Sequence, residues 1–528
     1  MKPSFNLLDE RWVPVRFSTG EVREIGLLEL FARAGDIIAL AETSPPNLIA
    51  LYRLLLAITH RALLRARGGW KDRDRAEWYR HSLPADAVPD YLVHWRERFW
   101  LFHPQHPFMQ VAALAEAEET RDKTKSWAQI ALDSANGNAP VVFDHSLDIA
   151  PSAIAPAHAV RNLLGFLQFT PGGLVKAVRG SDKSGALANT AAALPLGTTL
   201  HQTLCQALHP SDRASEHDRP AWEAAPPTIA SLAADPCLAS GPNDRYTRLS
   251  RAVLFLHDDR SPDIQLIRFA AGLALADDTN APDPMASYRI GTNGSVRLSF
   301  TEGRATWRDL AALIPDASGN LAAPAACLAW AINLQTTLGI QDKEISVLVA
   351  GVASDQAKLL RWRSERFILP SALLLNLDAG RFLRQLIKEA DSIYFRLRGI
   401  AAEMVAETMP NPAGKDTRSR ARAALDVSPC AATYFSGAER ALPRLMHLIA
   451  QGEIDAAERL WCETLATAAQ DAWDTTFRSL GRSSAALRAE AITHPRFLRL
   501  LRELRGKTSP DTNQERNASS TLAEEVHS

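Results

Sequence analysis

The chain has no C-x-x-C pair, no uninterrupted apolar run of 18 residues, no visible internal repeat and no excess of charge of either sign. Each absence excludes something. Its five cysteines, Cys205, Cys237, Cys327, Cys430 and Cys462, are odd in number and far apart, which argues against a disulfide framework and against structural zinc. Without a long apolar run no membrane span is predicted, and the opening "MKPSFNLLDERW" lacks the apolar segment of a signal peptide, so the expected location is cytoplasmic. A net charge of −1 means that any contact with nucleic acid must come from local basic patches. Such a balance suits a subunit of a larger assembly whose partners neutralise most of the phosphate backbone.

What remains is an ordinary globular composition, 46% hydrophobic and 23% charged over 528 residues, enough for two or more domains. "WVPVRFSTGEVREI" reads as a β-hairpin turning at Ser18-Thr19-Gly20. "PPNLIALYRLLLAITHRALLRAR" (45–67) starts on prolines, carries a continuous apolar stripe and stops at Gly68-Gly69, as a capped core helix does. Between about 205 and 300, short β-type runs such as "AVLFLH" and "IQLIRFA" alternate with turn-rich stretches. After Pro370 turns become rare. Leu383, Leu386, Ala390, Ile393, Leu397, Ile400 and Met404 alternate spacings of three and four, the seam of a long packed helix. Further helical stretches cover about 433–451, 453–478 and 483–505. The predicted fold is α+β: a large mixed N-terminal domain (1–370), a C-terminal all-α four-helix bundle (371–505) and a polar tail (506–528) expected to be disordered.

Chemistry is harder to find. "FTPGGLVKAVRGSDKSG" (169–185) offers three readings: a cradle for nucleotide phosphates, a track for a nucleic-acid backbone, or a surface turn. A Walker loop needs G-x-x-x-x-G-K-[ST], whereas here Gly185 follows Lys183 and Asp182 would face the phosphates. His103 and His106 in "HPQHPFMQ" sit three apart, but Pro104 and Pro107 prevent a helix from presenting both rings, and a rigid turn is the better reading. Asp144, His145 and Asp148 have no nucleophile motif beside them. Asp258, Asp259, Asp263, Asp277 and Asp278 allow a metal-dependent nuclease or hydrolase as an alternative, and the bundle allows a protein-only helical scaffold. No metal, no cofactor and no catalytic residue is predicted. "ISVLVAGVASDQAKLLRWRSERFILP" (345–370) reads as a β-type run over 345–350, a small polar stretch over 351–357 whose tip bears Asp355 and Gln356, and a basic return strand carrying Lys358, Arg361, Arg363 and Arg366.

Taken in order, "FNLLDERWVPVR", "HPQHPFMQ", the glycines at 171–173, "APDPMASY" and "GVASDQAKLLRWRSERF" resemble the large subunit of the type I-E CRISPR surveillance complex, Cascade (the CasA family). The resemblance runs from the first strand to the bundle. It implies a non-enzymatic subunit that recognises the protospacer-adjacent motif in duplex DNA and promotes strand separation and R-loop formation, while guide-RNA pairing reads the sequence. Its implied partners are the guide RNA (crRNA), the backbone, small, 5′-end and RNA-processing subunits, double-stranded target DNA and a helicase-nuclease effector, with no membrane. On the matching positions, Gly172 and Gly173, with Lys176 beside them, approach the motif from the minor groove. Gln356, between Asp355 and Ala357, is the wedge under the first base pair. The family often has asparagine where Asp355 stands, and a carboxylate there would repel phosphate and alter motif preference. The family's third contact, a lysine, has no clear counterpart, Arg268 being the nearest basic residue. The loop around Asn136, Gly137 and Asn138 (133–140) matches the segment that docks near the 5′ end of the guide RNA. The cysteine-rich zinc insertion of some members is missing.

Overall fold

The computed structural model describes residues 2–132, 151–211, 213–258, 261–278, 281–291, 294–316, 319, 322–340, 343–355 and 358–506. The chain divides into two compact units, one formed by 1–302 with 320–369 and the other by 303–319 with 370–528. The predicted boundary near 370 took no account of the excursion 303–319, which leaves the first unit and joins the second.

The first unit is mixed α/β. Strand Val13–Phe17 pairs antiparallel with Val22–Ile25 on one side and Ile37–Leu40 on the other. Its odd-numbered residues, Val13, Val15 and Phe17, are buried, the alternation expected when one face of a sheet meets a core. Helix Pro45–Arg67 begins with two prolines, whose missing N–H groups cost nothing in a first turn, and ends at Gly68, where φ of +72° is left-handed. By length and composition it is apolar enough to cross a membrane. It is instead the central core helix, buried on all sides for most of its length and packed on helix Pro156–Phe169.

Arg53, midway along that helix, is fully buried and meets Asp283 of "APDPMASY" through two hydrogen bonds of 3.1 and 2.8 Å. Burial alone would raise the Asp283 carboxyl, but the Arg53 charge and its hydrogen bonds hold it below the usual range. That stretch therefore serves the core. The apolar runs read as strands are Arg251–Asp258 and Ser261–Ala271, and the two pair with each other antiparallel. Strands Lys358–Pro370, Glu344–Asp355 and Ala191–Leu196 lie in that order in one sheet. The β-type run read as ending at Ala350 goes further: Gly351 is a ladder residue opposite Ala191 and the strand continues to Asp355. A Cβ at Gly351 would stand 2.1 Å from the Thr190 carbonyl, so glycine marks a close backbone approach here.

The second unit is helical. All seven seam residues from Leu383 to Met404 are buried on one helix, Leu377–Glu407, whose first turn is capped by the Asn376 side chain accepting from the Asp378 and Ala379 amides. Helices Ile454–Ser479 and Ser484–Gly506 follow prediction closely. The stretch predicted as 433–451 is two helices, Cys430–Glu439 and Leu442–Ala450, because Pro443 is tolerated in a first turn but not in a helix interior. Helix Lys415–Asp426 was not foreseen, since it buries only Ala421 and Leu425 and so shows little apolar periodicity. The excursion 303–319 supplies Trp307, buried edge-on to Trp461 at 6.2 Å, and Arg304 and Arg308, both paired with Asp391.

Candidate nucleic-acid interface

The glycine stretch folds as a small antiparallel hairpin of its own, Gly173–Ala177 with Arg179–Asp182. The pairing is irregular. Gly173 faces Asp182 and Leu174 faces Ser181, but the next paired residues are Ala177 and Arg179, so a bulge lies between. Three residues take positive φ: Gly173 (+151°), Lys176 (+64°) and Val178 (+68°). For Val178, β-branched, this is a sterically costly conformation of about 1–3 kcal/mol, tolerated only where the surroundings over-determine it.

Those surroundings are buried ions at the base of the hairpin. The Asp182 side chain is fully buried and accepts from the Arg179 guanidinium (2.8 Å), the Lys183 amide (2.9 Å) and the Gly272 amide (2.7 Å), with Arg251 at 3.1 Å. Arg251 in turn donates to the Pro171 and Lys183 carbonyls, 2.6 Å each, and so ties the two ends of the hairpin together. Burial pulls this guanidinium below its usual range, with the Asp182 carboxylate opposing. Arg179 donates to the carbonyls of Gly272 and Ala234. The Asp182 carboxylate points inward because two arginines and two amides satisfy it there, so it plays no part at the surface of the hairpin. At the far end, Gly185 donates to Thr170 at 2.9 Å, and a Cβ on it would stand 2.5 Å from the Gln168 carbonyl.

The clamp leaves the upper part of the hairpin in the open. A Cβ at Gly173 would have no heavy atom within 4 Å, whereas one at Gly172 would stand 3.3 Å from the Asp182 carbonyl and the Ser184 amide. Leu174 is 81% exposed, and Lys176, Gly180 and Ser181 are exposed as well. Gly172, Gly173 and Lys176 are therefore brought together on one ordered projection. Beside it a cleft of about 560 Å³ is lined by Lys183, Arg245 and Arg297 and by Asp277, Asp278 and Asp283, a mixed rather than a uniformly positive wall.

The other predicted residues are placed differently. Arg268 lies on strand Ser261–Ala271, where its guanidinium donates to the Ala115 and Arg121 carbonyls, 2.8 Å each. Asp355 ends its strand, while Gln356 and Ala357, and Asn136, Gly137 and Asn138, lie outside the described residues. So do Asp144, His145, Asp148 and Asp259. His103 closes a tight turn, its Nδ1 accepting from the Gln105 and His106 amides. Among the described residues no three His, Cys, Asp or Glu side chains converge as metal ligands.

Sequence reasoning missed the clamp altogether. Arg251 is 69 residues beyond Asp182 and lies in an apolar run that reads as a strand; no local pattern signals the pairing. It also missed the exposed side of the return strand, where Trp362, 43% exposed, shares a face with Arg366 and Ile368.

A family model for CRISPR-associated protein Cse1 matches residues 6–472. The CRISPR-associated protein CasA/Cse1 of Thermus thermophilus is 34% identical over 515 residues, covering 95% of this chain and 98% of that one. A crystal structure of Thermus thermophilus CasA superposes with a TM-score of 0.80 at 32% identity, over 95% of this chain and all of that one. A chain solved as part of a CRISPR RNA-guided surveillance complex shares the fold, with a TM-score of 0.70 at 21% identity over 94% of this chain and all of that one. With its mixed N-terminal unit and helical second unit, the chain belongs to the CRISPR-associated Cse1 (CasA) family.

Proposed function

We propose that this chain is the large, non-catalytic subunit of a type I-E, RNA-guided CRISPR antiviral complex, recognising the protospacer-adjacent motif in duplex DNA through its glycine hairpin. The observation that carries the reading is the form of that hairpin. Backbone enters a minor groove only where no side chain holds it away, and Gly173 has open space where a Cβ would be. Entry in one register requires a rigid base, and the Asp182–Arg179–Arg251 clamp supplies one. Lys176 stands where a phosphate flanking the groove could be met. Family membership and the shared fold with a chain of a CRISPR RNA-guided surveillance complex support the assembly.

On this reading Gln356, next in the chain after Asp355, wedges under the first base pair and promotes R-loop formation. The 133–140 loop docks near the 5′ end of the guide RNA, and the large unit receives the helicase-nuclease. The test is to purify the chain with its natural partners, ask whether a short guide RNA co-purifies, and titrate motif-bearing and motif-free duplexes. Gly173→Asp should weaken motif-dependent binding by about 1–3 kcal/mol, the scale of one damaged specific contact. Gln356→Ala should slow guide pairing on intact duplex and recover on a target already mispaired beside the motif, where the unstacking cost of a few kcal/mol is absent. Unchanged motif discrimination in Gly173→Asp would remove the hairpin from the reading.

A further inference from the structure

Leu174 contributes little to the core. Along strand Gly173–Ala177 the side chains of Val175 and Ala177 are buried and that of Lys176 is exposed, while Leu174 is 81% exposed. Among the large apolar side chains of the described residues, only Val427 stands further out. A single exposed leucine needs no explanation where its backbone has no task. This one follows Gly173, whose ladder partner is Asp182, and the Asp182 carboxylate is held between Arg179 and Arg251. Across the ladder from Leu174 stands Ser181, also exposed. The outward side of the hairpin therefore offers one bulky apolar side chain, one hydroxyl and one ammonium, with bare backbone at Gly173 and Gly180.

The minor groove of B-DNA is about 6 Å wide, and its floor carries a poor code. A·T and T·A pairs both show only acceptors there, and a G·C pair adds one donor, the guanine 2-amino group. Glycine backbone that enters such a groove carries with it the side chain next in the chain. A hydroxyl or a backbone carbonyl pressed on the floor can accept from the guanine amino group. A leucine covers that group, strips it of water and offers no acceptor, so the donor is left buried and unpaired. The polar heads of Ser181 and Lys176 impose no such penalty. We propose that Leu174 is a specificity-determining residue that selects against guanine: at the base pair it covers, A·T and T·A are favoured alike over G·C and C·G. The inference rests on the reading of the hairpin as a minor-groove probe, and adds to it which base pairs one position of the motif excludes.

The test uses the full chain assembled with its partners and the duplex that the assembly binds best, with each base pair of the motif exchanged in turn. At one pair, or at two adjacent ones, G·C should weaken binding by about fivefold or more, the scale of one buried donor left unpaired. Inosine·C, which lacks only the 2-amino group, should bind there like A·T. 2,6-Diaminopurine·T, which adds that group to an A·T pair, should bind like G·C. Leu174→Asn, which places an acceptor in the groove, should reduce the penalty to less than about twofold, and Leu174→Met, apolar and of similar volume, should keep it. A penalty that inosine does not relieve is read outside the minor groove and overturns the proposal. So does one that survives Leu174→Asn or is lost equally with Leu174→Met. The base analogues need no variant, so their result is independent of any effect on folding. The two readings fail apart: if no exchange in the motif changes affinity, the minor-groove reading is lost and the inference with it, whereas if exchanges matter but the 2-amino group does not, only the role of Leu174 is lost.

Discussion

Arginine does opposite work in the glycine hairpin and in helix Lys415–Asp426. At the hairpin, Arg179 and Arg251 turn inward, meet a fully buried carboxylate and donate to backbone carbonyls, so that their charge is used up inside the protein. What the hairpin presents outward is glycine backbone, Leu174, Ser181 and a single lysine. On the helix, Arg418 and Arg422 are exposed and form no ion pair among the described residues, and the buried contribution is two apolar side chains, Ala421 and Leu425. Inward ions hold a shape and are screened little by salt; outward cations attract a polyanion and are screened strongly.

The largest expected effect comes from breaking the inward arrangement. Asp182→Ala leaves the buried Arg251 without its carboxylate and the buried Gly272 amide without its acceptor, and removing one partner of a buried pair costs about 3–5 kcal/mol. Urea denaturation should show this loss, and motif discrimination should fall with it. A variant with wild-type stability would mean that the clamp does not hold the hairpin.

Acid should separate the two arrangements next. His60 and His209 are stacked at 3.6 Å in the core of the first unit. Burial, with the Arg61 charge adding to it, pulls the His60 imidazole down to about 3, and burial, with His60 adding, pushes His209 well below its usual range. Both folded values lie below the unfolded value of about 6.5, so the unfolded chain takes up protons first as pH falls. The stability they contribute is complete above about pH 6.5 and declines from there towards about pH 3, by up to about 1.4 kcal/mol per pH unit for each group. Asp218, pushed up to about 6 by burial, works in the opposite sense between about pH 4 and 6, and two imidazoles against one carboxylate leave a net loss. The urea midpoint should therefore drop between pH 7 and pH 5, by similar amounts at low and moderate salt. A flat profile would contradict the buried neutral pair.

The smallest effect sharpens the comparison inside the hairpin itself. Lys176→Gly relieves a left-handed conformation that costs a non-glycine residue about 1–2 kcal/mol, offset in part by the greater freedom of glycine in the unfolded chain. Stability should rise by up to about 1 kcal/mol while duplex affinity falls. If both fall together, the lysine is held for packing and not for contact.

Most of the architecture was legible because it follows from local pattern. The seam from Leu383 to Met404, the prolines and glycine bounding helix Pro45–Arg67, and the turn at Gly20 each state their structure within a few residues. Helix Lys415–Asp426 escaped notice because four cations among twelve residues look like a loop when only two positions are buried. Gly351 misled because a glycine marking a close strand approach resembles one marking a turn.

By itself, then, the sequence determined the α+β class, the helical second half and, through the order of its motifs, the family. It also determined that Gly172, Gly173 and Lys176 are neighbours. Only the tertiary structure decided that Asp182 points inward, that Arg251 closes the hairpin from 69 residues further along, and that residues 303–319 belong to the second unit. The physical reason is the same in each case. Local conformation depends on side chains a few positions apart, which a sequence lists side by side, whereas burying a charge requires a partner that only the folded chain can bring within about 3 Å.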